Sequence, residues 1–503
     1  MKVRLKLAAL AAVYAAAAFA SPDLRLIHAV RANNVEEVRA LVKQKVDVNA
    51  AQGDGATPLH SAARLDNIAV ASLLLDAGAR VNAANDDGAT PLYLACVNRS
   101  APMIERLLAA GADANSRLPN GETALMTCSR TGDVKTVKTL LVHGAAVNAK
   151  ESAHNQTALM WAVSQHHPEA VAMLLEFGAD VRARSLTYPQ TVVGEQTQRA
   201  GREELNYTVL RGGSTPLLFA ARVGDVESAR LLIAKGADVN DALPDGTTAL
   251  ILAAHSEQGP LAELLLEKGA DPNNAKIGYT ALHAAVLRSN VHLVKALLAH
   301  GANPDIRITK GTPMRRDTTD FNLPQTLIGA TPLLLAARFL EPDILNALVA
   351  GGADLKLTMP NGATPLMLAA GMGSSLSASR RGISRVDFGK VEPESRVLEG
   401  VKAVLSYGVD VNAVNEAGDT ALHTAASFGY DTVIQLLADK GANVSVKNRR
   451  GVTPLAMASG GGGGRAGRRP PVGAGGVDDT GVRRGPVSHE STAALLRRLG
   501  ATE

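Results

Sequence analysis

Gly55-Ala56-Thr57-Pro58-Leu59-His60-Ser61-Ala62-Ala63 sets a glycine, a helix-capping threonine and a proline at the first helical position ahead of a small, apolar stripe. The signature returns as Gly88-Ala89-Thr90-Pro91-Leu92 and Gly121-Glu122-Thr123-Ala124-Leu125, and onward to Gly451-Val452-Thr453-Pro454-Leu455. Its threonines stand at 57, 90, 123, 157, 215, 248, 280, 331, 364, 420 and 453, a step of 32 to 34 residues except at three places. After each first helix the spacing predicts a second, such as Ile68-Ala69-Val70-Ala71-Ser72-Leu73-Leu74-Leu75, whose apolar residues share one face. A glycine ends it, at 78, 111, 144, 178, 236, 269, 301, 352, 408 and 441, followed by an Asp-x-Asn type hairpin into the next Gly-x-Thr. One such unit cannot bury its own apolar faces, so stability must come from stacking.

A period of about 33 residues carrying Thr-Pro-Leu-His-x-Ala resembles the ankyrin repeat family, and the resemblance runs over nearly the whole chain. It implies an all-α repeat solenoid of about twelve units, each a helix-turn-helix with a β-hairpin tip. The expected layout is a signal peptide over 1–20 and a solenoid over 21–503. The solenoid begins with an N-terminal cap over 22–54 and has repeats from Gly55, Gly88, Gly121, Asn155, Gly213, Gly246, Gly278, Gly329, Gly362, Gly418 and Gly451. Leu24 lies 33 residues before Thr57, in register with the later helices. The last unit reads as split: Thr453 to Ala458 begins it, a Gly, Pro and Arg rich stretch over 459–488 is expected to be disordered, and Leu495, Leu496 and Leu499 resume a second helix.

Three insertions interrupt the period, over about 185–212, 307–328 and 373–393. The first two replace hairpin tips and the third separates the two helices of one unit. The asparagine of Asp-x-Asn is replaced just before the first two, by Arg182 and Asp305, which predicts a remodelled turn there. In a modular chain such departures are where function concentrates.

The resemblance implies that a partner binds the concave face formed by hairpin tips and inner helices. The exposed inner-helix slots are then four, seven and eight residues after each threonine. Slot four holds Trp161 and Phe219, slot seven holds Arg64, Arg130, Arg222 and Arg338, and slot eight holds Phe339 and Phe428. Arg315, Arg316 and Phe321 of the second insertion join them as candidate partner contacts. Aromatics are only 3% of the chain, so their position is informative, and arginine and large aromatics dominate binding hot spots. A lid role for the first insertion over Trp161 and Phe219, and plain solubility for the arginines, stay open at this point.

No catalytic signature is found. His60, His283 and His423 occupy the ordinary histidine slot of the repeat, and His166-His167 has no further ligand at metal spacing. Nucleophile elbows, phosphate-binding loops, haem sites and zinc-protease motifs are absent from the sequence. The expectation is therefore a non-catalytic scaffold with no cofactor and no metal, binding a protein partner as a monomer. The alternative is a ligand-binding or enzymatic site assembled from the insertions with Tyr188, Asp317 and Asp320. The formal charge of +4 falls to about +1 without Lys2, Arg4 and Lys6, which argues against nucleic acid. Only Cys96 and Cys128 are present. They sit in alanine slots of neighbouring units, and two buried, reduced thiols are expected there, on the ground that adjacent helix axes lie roughly 8–10 Å apart.

Met1 to Lys6 is basic, the run from Leu7 to Phe19 is apolar, and Ala18-Phe19-Ala20 precedes Ser21, the layout of a secretory leader. The run falls short of the roughly 20 residues of a spanning helix. Release to the periplasm or the exterior, without membrane attachment, is expected. N-terminal sequencing of the protein from its producing cell should start at Ser21; a retained Met1 would refute the leader.

Overall fold

The computed structural model of the protein describes residues 23–193, 206–311, 323, 325–372, 392–460 and 489–502. Residues 1–22, on which the expected leader falls, the tips of the first two insertions, nearly all of the third and the glycine-rich stretch after Gly460 lie outside the described residues. The chain forms two compact units, one of Met1–Leu186 with Gly212–Asp238 and one of Thr187–Arg211 with Val239–Glu503.

Among its described residues, the first unit is a stack of six helix pairs. Its inner helices are Arg25–Arg31, Pro58–Arg64, Pro91–Val97, Ala124–Thr131, Ala158–Ser164 and Pro216–Val223, each followed within a few residues by an outer helix of nine residues. The threonine slot caps as its chemistry dictates: Thr90 and Thr123 Oγ1 each accept the backbone N–H three residues on, at 3.3 Å. Outer helices are capped by Asn67, Ser100, Asp133 and Asp225. Leu59, Ala62, Ala63, Val70, Ala71 and Leu74 show how one layer spends its apolar residues, all 0% exposed. At roughly 1.5–3 kcal/mol for each fully buried large aliphatic side chain, the layers are held mainly by what they hide from water.

The second unit repeats the plan with inner helices Ala249–His255, Ala281–Leu287, Pro332–Arg338, Pro365–Ala369, Ala421–Phe428 and Pro454–Ala458. Its last outer helix, Glu490–Arg498, packs beside Pro454–Ala458, with His489 N–H on the Ala458 carbonyl at 2.8 Å and Thr492 Oγ1 on the Asp431 carboxylate. The first insertion forms an antiparallel hairpin of β1 (Thr187–Val193) and β2 (Asn206–Gly212).

Between layers, the asparagine of the hairpin is a two-way clasp. Asn82 Nδ2 donates to the Gly111 carbonyl at 3.0 Å and its Oδ1 accepts from Asp113 N–H at 2.8 Å. Asn49, Asn115 and Asn148 do the same in the first unit, and Asn240, Asn273 and Asn412 in the second. The acceptor is the carbonyl of a helix-ending glycine, such as Gly111 at φ 89°, a backbone shape that few other residues adopt without strain. Each insertion coincides with a lost asparagine: Arg182 and Asp305 stand in the slot before the first two, and Lys356 before the third. Asp305 keeps the accepting half of the clasp, taking the Asp354 N–H at 3.0 Å, and loses the donor. At the first two, an arginine two residues on closes the base of the insertion instead. Arg184 donates to the Gly213 carbonyl at 2.8 Å, and Arg307 donates to those of Gly329 at 2.6 Å and Thr358 at 2.7 Å. Ile308, Leu323 and Leu327 of the second insertion are buried, so its described part is packed into the fold.

The expectation of reduced thiols is overturned: Cys96 and Cys128 are disulfide-bonded, with Cα atoms 4.9 Å apart and both residues 0% exposed. The axis separation overstates the distance between the two residues. Cα atoms on the facing sides of two helices are closer than the axes by up to two helix radii, about 4.6 Å, which brings an 8–10 Å axis spacing into disulfide reach. Removing the cross-link by a Cys96→Ala, Cys128→Ala pair should lower stability by about 3–4 kcal/mol, the loop-closure value for a bridge of this span, with the helical circular dichroism kept. In native protein neither cysteine should react with a thiol reagent until a reductant and denaturant are both added. Ready labelling of either cysteine in unreduced native protein would exclude the bond.

The repeat histidines are also interlayer ties. His60 Nδ1 accepts from the Thr57 N–H at 3.0 Å, which leaves the proton on Nε2, where it is donated to the Ala89 carbonyl of the next layer at 2.9 Å. His423 repeats this with Thr420 and the Val452 carbonyl. His283 Nδ1 accepts from Thr280 N–H at 3.2 Å, and its Nε2 finds no acceptor in front of the layer that carries the second insertion. Burial holds all three imidazoles below their ordinary value, His283 at about 4. A second proton on Nδ1 would face a backbone N–H. Because the folded values are depressed, the unfolded chain takes up protons first as pH falls below about 6.5. Stability should thus be level above about pH 7 and drop between about pH 6.5 and 4. Thermal melts of His283→Gln should show a smaller drop across that window than the parent; an equal drop would clear His283 of the effect.

Candidate functional site

The inner-helix face of the first unit gathers most of the candidate residues that the structure leaves accessible. Arg64, Arg130 and Arg222 are exposed, and Trp161 and Phe219 are half-buried. Arg130 is the centre of this group. Its guanidinium carbon lies 5.1 Å from the centroid of the Trp161 ring, in the adjacent layer, and its Nη2 is 3.8 Å from Glu122 Oε1. The same Glu122 oxygen accepts from Thr127 Oγ1 at 2.7 Å and from the Tyr93 hydroxyl at 3.5 Å. Three consecutive layers therefore contribute Tyr93, the Glu122-Thr127-Arg130 group and Trp161. Burial first, and then the Glu122 charge, push the Tyr93 phenol above its ordinary value, so it stays neutral.

Tyr93 and Glu122 were not among the residues picked from the sequence, yet both carried a signal. Glu122 fills the middle of Gly-x-Thr, where the two preceding repeats have Ala56 and Ala89, and Tyr93 fills the slot that holds His60, His283 and His423 elsewhere. A carboxylate in a slot that is 7% exposed needs a partner, and the arginine eight residues on supplies one. Trp161 is less settled: its indole Nε1 is buried without a hydrogen-bond acceptor, an omission that typically costs about 1–3 kcal/mol.

The candidates around the second insertion are placed differently. Arg338 and Phe339 are half-buried. Burial holds the Arg338 guanidinium below its ordinary value, and the Phe339 carbonyl accepts from Arg396 at 3.0 Å. Phe428 stacks on Tyr430, ring centroids 5.5 Å apart, and lies against Gly371, where an added Cβ would sit 3.2 Å from the ring. Burial pushes the Tyr430 phenol up to about 12, and its hydroxyl donates to the Glu392 carbonyl at 3.2 Å. Contacts with adjacent layers thus engage this region: Arg396 reaches back to Phe339, and Phe428 and Tyr430 meet Gly371 and Glu392. Arg315, Arg316 and Phe321, with Asp317 and Asp320, lie outside the described residues, and Tyr188 is exposed on β1.

Among the described residues no group of three or more His, Cys, Asp or Glu is placed to hold a metal ion. His167 Nε2 donates to the Arg130 carbonyl at 3.0 Å, and its ring fills the space that a side chain at Gly132 would take, which is a packing role. No helix among the described residues is long and apolar enough to cross a membrane.

Comparison with known proteins agrees with this architecture. A family model described as ankyrin repeats (3 copies) matches residues 26–117, 98–185, 199–276, 217–308, 273–357 and 394–463, and a second, ankyrin repeats (many copies), matches 159–233. The mouse B-cell lymphoma 3 protein homolog is 29% identical over 194 residues, 36% of this chain and 39% of that protein. Human neurogenic locus notch homolog protein 1 is 29% identical over 185 residues, 36% of this chain and 6% of its own length. The chain thus spans well under half of these relatives. Among solved structures, a crystal structure of the human ASB11 ankyrin repeat domain is 27% identical, covering 49% of this chain and 98% of that one at a TM-score of 0.40. With the family models matching well over half of its residues, the chain belongs to the ankyrin repeat family.

Proposed function

We propose that the protein is an exported, non-catalytic scaffold that binds a partner protein through the inner-helix face of its first unit. The observation that carries this reading is the Arg130 and Trp161 stack. In a chain with one tryptophan and 3% aromatic residues, the indole stands on that face under a guanidinium, with exposed Arg64 and Arg222 on the same slot of other layers. Such side chains give large contact area for little ordering cost and are the usual anchors of interfaces. Ankyrin repeats point to protein partners in general. The two relatives share 194 and 185 residues with this chain and carry unlike names, which fits a recognition module better than a single chemistry. Export is supported by the leader pattern and by the buried Cys96–Cys128 bond, since such bonds persist in oxidising compartments.

Affinity capture from the exported fraction tests the face. Arg130→Ala with Trp161→Ala should weaken binding of the captured partner by about 2 kcal/mol or more, as hot-spot truncations do, with little loss of helical signal. Lys135→Ala with Lys138→Ala, on the outer helix Val134–Val142, removes more charge from the opposite face and should leave binding unchanged. The reverse result would move the site to the outer helices.

A further inference from the structure

We propose that the partner of this face is an extended, acidic stretch of polypeptide, read by a column of arginines running along the stack. The proposal rests on the inner-face reading above and adds the chemistry of what binds. Arg31, Arg64, Arg130 and Arg222 occupy one slot, seven residues after the threonine position, in four of the six layers of the first unit; Val97 and Ser164 fill the other two. All four arginines lie in the last turn of an inner helix and are exposed.

Charge is segregated between the two helix rows. The six inner helices of this unit contain no Asp or Glu, whereas their outer helices carry Glu36, Glu37, Asp76, Glu105, Glu169, Glu176 and Glu227. A basic residue at a helix C-terminus complements the helix dipole, and that alone could place four arginines. The outer helices contradict it as a sufficient cause, because two of them end on Asp76 and Glu176. Most nearby acids are engaged, the exception being exposed Asp66 two residues beyond Arg64, and Asp54, held by the Ala56 N–H and the Gln52 amide, also feels the Arg31 charge. Asp133 and Asp225 accept the N–H groups of Thr136 and Ser228 as caps, and Glu122 is held by Thr127 and Arg130. Among the described residues no ion pair holds Arg64 or Arg222. What remains is a row of cations with Val97, 48% exposed, and the half-buried Trp161 and Phe219 between them.

The spacing suits an extended chain. Layers about 8–10 Å apart put Arg64 and Arg130, two layers from each other, within the span of about five or six extended residues at roughly 3.3 Å each. Carboxylates at that interval would meet the arginines, and apolar side chains between them would meet Val97 and Trp161.

Trp161 is the chain's one tryptophan and lies beside the column, under Arg130, so the protein carries its own reporter. Poly-L-glutamate of about 20 residues at low salt should change Trp161 emission saturably, with the effect weakening as salt screens the charges. Arg64→Ala with Arg222→Ala, in layers other than that of Trp161, should raise the apparent Kd about tenfold, while Lys135→Ala with Lys138→Ala should not move it. Poly-L-lysine should give no response. No response to polyglutamate, or one indifferent to the two arginines, would overturn the proposal. So would a thymidine oligonucleotide binding as tightly through the same arginines, since the column would then be a general polyanion surface. If the captured partner still needed Arg130 and Trp161 while polyglutamate failed, the inner-face reading would stand and only the acidic chemistry would fall.

Discussion

The side-chain amide of a hairpin asparagine, present in every layer of regular spacing from Asn49 to Asn148 and again at Asn240, Asn273 and Asn412, governs how this fold is held. It donates to the glycine carbonyl that ends the next layer's outer helix and accepts from the backbone N–H two residues beyond. That pairing satisfies two groups a helix end leaves open while setting the position of the following layer. The inner helices can then approach on their alanine faces, closely enough to bring Cys96 and Cys128 to 4.9 Å. Hydrophobic burial supplies the larger stabilisation, but it is non-directional. The amide clasp and the histidine tie from His60 to Ala89 give the stack its register.

The insertions follow from the same constraint. A hairpin cannot both present the clasp and divert into a long excursion, and in each of the three cases the asparagine is the residue that has gone. At Arg184 and Arg307 the replacement is a longer donor that reaches the returning glycine, so the base of the excursion is closed. Lys356 shows the third case from the other direction. The excursion lies between the helices of the next unit, yet the clasp that would have met that unit's outer helix is missing.

Most of the helical layout was legible because each unit states its own boundaries: threonine and proline begin the inner helix, and a left-handed glycine ends the outer one. The losses at Arg182 and Asp305 were equally visible in the residues. The disulfide was not, because slot numbers say which residues line a helix face without saying how far two such faces approach. Of the site, the exposed arginines and Trp161 could be named from slot positions alone. Tyr93 and Glu122 could not, because their importance comes from a contact across layers. Arg338 had the same slot credentials as Arg64, and Phe428 stood one slot on, yet their neighbours half-buried them, which no single-repeat pattern encodes.

A modular stack separates the residues that make a layer from those that decorate it, and Trp161 belongs to the second kind. Slot four is filled by Ser61, Thr127 and Ala284 in layers that close perfectly well, so the fold does not require an indole there. This one leaves its N–H buried and unpartnered, offset in part by the Arg130 guanidinium over its face, an interaction worth about 0.5–1 kcal/mol when exposed. A polar group that lowers stability, in a slot where a smaller side chain would serve, fits a contact whose gain is realised on binding. The absence of acids from the six inner helices of the first unit carries that argument from one residue to the inner-helix row.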